Sequence, residues 1–185
     1  MTRIAVLADI HGNLPALEAV IDDLAEQKVD EVLVGGDLVG RGPQGSAVAR
    51  RIRELGWPSV RGNHEDYLLD FRRGNVPDDW LVTAPWAASR WMAAELTDED
   101  VDYIDSLPFT LAPRSASASD GVSGLRVFHG SPAGIDDGLG TWSPDDVLSG
   151  HLRGIEESVL VCCHTHRPMI REVPEGRDLI CPAGA

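Results

Sequence analysis

Short apolar runs rich in β-branched residues alternate with helical periodicity through the first third of the chain. Residues 3–8 are apolar from Ile4 onward and predict a buried strand. Residues 9–13 are polar and include Gly12, which predicts a loop, and Pro15 falls where a helix would begin. Leu17, Val20, Ile21, Leu24 and Ala25 then recur at the spacing of one helix face, with Asp22, Asp23 and Glu26 on the other. Glu31–Val34 reads as a second strand and residues 35–45 as a loop. Val48, Ile52 and Leu55 mark a second helix that Gly56 can end, and residues 59–61 read as a third short strand. Strand, loop and helix repeated in this order predict a parallel α/β sheet.

From residue 64 to residue 107 the pattern is helical. Tyr67, Leu68 and Phe71 share one face, residues 84–96 form a further segment, and Thr97 is placed to cap a short helix with Asp98, Glu99 and Asp100 in its first turn. Residues 98–105 read as a solvated face. Residues 115–124 are a run of small residues and predict a loop at a hairpin tip. Leu125–Phe128, 158–163, Met169–Val173 and 178–181 predict strands, with a turn at 174–177 between the last two. Ser143 and Pro144 read as the cap and first residue of a helix. There is no internal repeat. The 185 residues predict a single domain, 1–185, long enough to bury a core.

Charge narrows the classes of function. Sixteen basic residues against 30 acidic ones give 16 − 30 = −14, and Lys28 is the only lysine. Such a balance argues against a nucleic-acid polymer or an anionic membrane as partner. The leading apolar run is broken by Asp9, and no stretch approaches the roughly 18 residues of a membrane span. Cys162, Cys163 and Cys181 are odd in number and two are adjacent, so they read as small core residues and not as a disulfide framework or a thiolate zinc site. A reducing cytoplasm is the expected location. The oligomeric state is not readable from the sequence.

The candidate chemistry lies at the predicted strand ends. Asp9 and His11 follow the first strand, Asp37 the second, and Asn63 and His64 the third. His129 closes the strand at 125–128, and His164 and His166 follow the strand at 158–163. The carboxyl edge of an open α/β sheet is where sites form. Four histidines, two aspartates and an asparagine there are the donor set of a pair of divalent metals. Asp37 offers two oxygens and can bridge two cations, and two ions about 3.5–4 Å apart can hold a hydroxide and neutralise a phosphoryl oxygen. Without thiolates, the donors suit manganese in the first place, with iron, zinc or nickel as alternatives. Arg61 reads as structural, His151 as a surface residue, Glu65 and Asp66 as groups that cap a helix or support the ligands from behind, and Trp142 as packing or as a platform for a base.

Taken in order, Asp-x-His at 9–11, Gly-Asp-x-x-x-Arg-Gly at 36–42, Gly-Asn-His-Glu at 62–65, His-Gly at 129–130 and His-x-His at 164–166 resemble the calcineurin-like metallophosphoesterase family. The resemblance implies a four-layer α/β/β/α sandwich with a dinuclear centre. By it, Asp9, His11, Asp37 and His166 would bind one metal, and Asp37, Asn63, His129 and His164 the other. His64 would donate a hydrogen bond or proton to the scissile group, and Arg41 would hold phosphate. The implied function is hydrolysis of a small phosphodiester, phosphomonoester or nucleotide. Diadenosine polyphosphate or Ser/Thr phosphoprotein hydrolysis is the alternative, and a metal-binding module with little turnover is a reading of another class. Residues 9–20 and Leu107-Pro108 resemble the small bacterial phosphodiesterase-like branch, whereas Arg41 and Glu65 resemble the protein phosphatase and diadenosine tetraphosphatase branch. Cys163 stands where the family usually has glycine, and Gly40 where the protein phosphatases have aspartate. The sequence stops near a turn after which the family continues, so C-terminal edge strands are expected to be absent from the sheet.

Overall fold

The computed structural model describes residues 2–113 and 124–184. The first strand, β1 (Ile4–Leu7), pairs in parallel with β2 (Glu31–Val34), Ile4 opposite Glu31. Helix α1 (Leu14–Gln27) connects them, with Asn13 Oδ1 accepting from the Ala16 amide and Pro15 in the first turn. Helix α2 (Gly45–Leu55) ends at Gly56, which takes the left-handed conformation at φ 66°. The predicted third strand is smaller than expected. Val34 pairs in parallel with Ser59 as a single bridge, with Val34 donating to Pro58 and Val60 donating to Val34. Pro58 has no amide hydrogen, so the ladder cannot continue past it.

The stretch over 64–107 is several helices: α3 (Asn63–Arg73), two 3-10 turns at Asp78–Leu81 and Ala84–Trp86, α4 (Ala87–Glu95) and α5 (Asp98–Ser106). Gly74 at φ 70° stops α3, and Pro77 and Pro85 keep the following segments short. Thr97 caps α5 as expected, in a reciprocal box with Asp100. Residues 98–105 are not a uniformly solvated face, however. Asp100 is buried and accepts from Ser46 Oγ at 2.5 Å, while Asp105 pairs with Arg61 and Arg73.

A second sheet has the order β3 (Thr110–Leu111), β4 (Leu125–Phe128), β5 (Val159–Cys162), β7 (Arg177–Cys181), β6 (Met169–Val173). Its three central strands run parallel and its two edges antiparallel. The two-residue β3 is too short for a period-2 pattern to reveal. Most of the predicted small-residue loop at 115–124 lies outside the described residues. Helix α6 (Asp145–His151) begins one residue later than expected: Pro144 is the N-cap, and Ser143 Oγ instead accepts from the Gly140 amide.

Strand alternation sorts the apolar residues into three cores. Val34 and Leu7 face the helices, where Leu17, Val48, Ile52, Leu68, Met92 and Ile104 pack. Leu33, Ala8 and Val60 face the second sheet, meeting Val127, Val161 and Cys163. Leu160, Cys162 and Leu179 face outward onto Leu148 and Leu152 of α6 and its connection. The result is the four-layer α/β/β/α sandwich, with, among the described residues, five helices on one side and α6 on the other. Among the described residues β1 is an edge strand, and no helix is long and apolar enough to cross a membrane.

Candidate metal centre

Five strand-end loops meet at one edge of the sandwich. They are wound tightly: Asp9, His11, Asp37, Arg41, His164 and His166 all have φ between 45° and 61°. The left-handed region is uncommon for residues with a Cβ, and its concentration here stores strain where side chains must converge. Backbone bonds hold the conformation. Asp9 donates to Gly36, His11 to Asp37 and Gly12 to Leu38, so the first two loops are zipped together, and Cys163 donates to His129.

The side chains form two adjoining groups. In the first, His11 Nε2 lies 3.2 Å from His166 Nε2, and His166 Nε2 lies 3.1 Å from Asp9 Oδ1. In the second, Asn63 Oδ1 is 2.9 Å from His129 Nε2 and 3.0 Å from His164 Nδ1. Asp37 joins them: its Oδ2 is 3.6 Å from His11 Nε2 and 3.4 Å from His129 Nε2. The donor atoms of Asp9, His11 and His166, and those of Asp37, His129 and His164, are mutually within 4.8 Å and could each hold a metal ion. All seven residues expected as ligands are thus brought together, with Asp37 between the two groups.

Burial makes this donor set costly without a cation. Both Asp9 oxygens are buried and lack a hydrogen-bond partner despite the neighbouring ring, and burial raises the Asp9 pKa. His11 is pushed by burial down to about 4, so its ring is a neutral donor at physiological pH. Burial would also raise Asp37, but the hydrogen bond and charge of His129 outweigh it and hold the carboxyl at about 2. Burial likewise opposes charge on His129, yet Asp37 and the Gly35 carbonyl lift it to about 9. The 2.8 Å contact of His129 Nδ1 with the Gly35 carbonyl directs Nε2 into the site. An acceptor-rich, buried set with an unpaired carboxylate fits divalent cations.

The surrounding groups are equally specific. Glu65, expected to cap a helix or support the ligands, does both: it is fully buried and accepts three backbone amides, Gly62 at the head of α3 at 2.7 Å, Asp37 at 2.9 Å and Val39 at 3.0 Å. It fastens the Asp37 loop to the Asn63 loop. Burial, then the charge of Asp37, raises its pKa to about 7. The Gly62 contact follows capping-box spacing, whereas the Asp37 and Val39 amides leave no sequence signal beyond the glutamate itself. His64 heads α3 beside His11, ring centroids 4.7 Å apart, and its amide donates to Asp37 Oδ1. Burial lowers its pKa, Arg41 lowers it further, and Asp37 opposes both. Gly40, at φ 89°, lies against this ring: a Cβ there would sit 2.3 Å from His64 Nδ1. A side chain at position 40 would have to displace that ring or change the loop backbone. Arg41 is exposed, and its charge acts on both His11 and His64. Cys163 points into the core between the sheets, against Gly35, and does not crowd the second group. His151 pairs with Asp137 and is half-buried rather than freely exposed, outside the cluster.

An uncharacterised protein of Methanocaldococcus jannaschii is 33% identical over 133 residues, covering 71% of this chain and 50% of the relative. A symmetrical bis(5'-nucleosyl)-tetraphosphatase of Pectobacterium atrosepticum is 35% identical over 171 residues, covering 80% of this chain and 60% of its own length. The chain therefore spans about half the length of these relatives. The crystal structure of a metallophosphoesterase from Sphaerobacter thermophilus superposes with a TM-score of 0.72 at 27% identity, covering 99% of this chain and 76% of that one. The calcineurin-like phosphoesterase profile matches residues 2–168, and the chain belongs to that family.

Proposed function

We propose that this protein hydrolyses small phosphate esters at a dinuclear metal centre, with Asp9, His11, Asp37 and His166 holding one ion and Asp37, Asn63, His129 and His164 the other. The observation that carries the reading is Asp37 Oδ2, which stands within 3.6 Å of a ring nitrogen from each group. Two divalent ions bound there, manganese by preference, supply Lewis-acid charge and activate a water. Arg41, exposed and close enough for its charge to act on His11 and His64, would add positive charge at the phosphoryl oxygens without competing for a ligand position. His64 delivers a proton to the leaving oxygen. Burial lowers its pKa, so the proton it gives up would be taken on as the anionic phosphate binds beside it and would be replaced from water after the leaving group departs. The tetraphosphatase relative supports nucleotides as the substrate class. Three free, buried thiols suit a reducing compartment.

The test is assay of the metal-stripped and Mn²⁺-reloaded protein on p-nitrophenyl phosphate and its diester, beside Asp37→Asn and His64→Ala. Turnover that requires metal, is abolished in Asp37→Asn, and falls about 10²–10⁴-fold in His64→Ala with metal content intact is expected. Two bound ions with no turnover of any phosphate ester would leave a metal-binding module in its place.

A further inference from the structure

Among the described residues, eight arginines of this acidic chain are held by carboxylates: Arg51, Arg53, Arg61, Arg72, Arg73, Arg126, Arg171 and Arg177. Arg167 is not. It follows His166 directly, is exposed, and among the described residues has no carboxylate partner; its guanidinium carbon instead lies 5.2 Å from the centroid of the Trp142 ring. Trp142 is itself 51% exposed, an unusual position for so large an apolar surface.

The turn that carries Trp142 is pinned. Ser143 donates its amide to Gly140 and accepts from the Gly140 amide through Oγ. Arg171 donates to the Gly140 and Ser143 carbonyls while pairing with Asp145. The Trp142 ring lies against Gly140, where a Cβ would meet it at 2.3 Å. The same loop reaches the metal groups: a Cβ on Gly138 would touch Thr165 at 2.8 Å and His164 at 3.6 Å. A rigid, exposed indole therefore holds an uncompensated guanidinium one residue from the first group of donors. A guanidinium braced on an aromatic face keeps its N–H edge free for a phosphate and its outer face free for a planar ring.

We propose that Arg167 and Trp142 form a nucleotide subsite on the rim of the centre, binding a second phosphate and the base of the leaving group. Turnover at this site rests on the hydrolase reading above; binding does not.

The experiment therefore has two arms. In the first, the dissociation constants of ADP and of inorganic phosphate are measured by calorimetry on the Mn²⁺-loaded protein and on Arg167→Ala and Trp142→Leu. The expected result is a rise of about tenfold in the ADP-to-phosphate ratio of Kd for Arg167→Ala and about threefold for Trp142→Leu, with melting temperatures kept. In the second, the ratio of KM for diadenosine tetraphosphate to KM for p-nitrophenyl phosphate should rise about tenfold in Arg167→Ala. An unchanged ADP-to-phosphate ratio overturns the subsite whether or not the protein turns over. Absence of turnover with the shifted binding ratio leaves the subsite standing and removes the hydrolase reading instead.

Discussion

Glu65 and Asp9 are both buried carboxylates at the centre, and their surroundings predict opposite responses to amide substitution. Glu65 accepts three amides, so Glu65→Gln sets an NH₂ group against at least one backbone N–H. A buried donor left unpaired costs about 1–3 kcal/mol, and loosening groups that orient metal ligands costs roughly 10–100-fold in affinity. Glu65→Gln should therefore lower both the denaturation midpoint and the Mn²⁺ affinity; unchanged values for both would show that the threefold bond is dispensable. Asp9 has at most the His166 ring, 3.1 Å from Oδ1, and no partner for Oδ2, and it sits at φ 56°. Asparagine tolerates that backbone conformation and carries no charge to desolvate. Asp9→Asn should raise the metal-free melting temperature by about 2–4 °C and abolish its increase with added Mn²⁺. A lower metal-free melting temperature would contradict this. The donors themselves were legible in the sequence, because His, Asp and Asn at successive strand ends form a pattern. The capping and supporting role of Glu65 was legible too, but its partners were not all so, since backbone amides from residues 26 and 28 positions away leave no trace in side-chain spacing.

At the scale of elements, α5 shows how a local signal acquires a second partner. Thr97 and Asp100 cap the helix as their spacing predicts, but Asp100 Oδ2 also accepts from Ser46 on α2. This carboxylate ties two helices and is buried, whereas helix periodicity alone placed it among solvated acids. Asp100→Ala should lose about 1–2 kcal/mol by chemical denaturation, more than a lone cap residue on an exposed helix. A loss below about 0.5 kcal/mol would return Asp100 to the surface role. The break-up of 64–107 has a similar origin. Gly74, Pro77 and Pro85 were visible as residues, but α3 and α4 are fixed by packing Leu68, Leu69 and Met92 into one core. The two-sheet arrangement was likewise beyond the periodicity. The first strands suggested one parallel sheet, and only the motifs pointed to two.

The whole molecule carries a charge of −14, yet its centre holds Asp37 and His129 as an opposed pair in the absence of metal. Asp37 is lowered from 3.8 to about 2, so its contribution to stability is present above 3.8 and lost as the pH falls through about 2. His129 is raised from 6.5 to about 9, so its contribution is full below 6.5 and lost as the pH rises through about 9. A metal at His129 Nε2 must displace that proton. Apparent Mn²⁺ affinity should therefore increase with pH between about 6.5 and 9, by up to tenfold per unit, with proton release visible as a buffer-dependent heat in calorimetry. An affinity flat across that range would mean that His129 is already neutral in the metal-free protein.

The donors that meet at the centre come from distant parts of the chain. His11 and His166 touch across 155 residues, and Asn63 and His164 across 101. His11 and Asn63 leave the first sheet, while His164 and His166 leave the second. Ions held between them would act as removable cross-links, closing loops almost as long as the protein and clasping the two sheets at one edge. Metal loading would then set not only the chemistry but also how firmly this edge of the sandwich is held, adding to the core already shared by the two sheets.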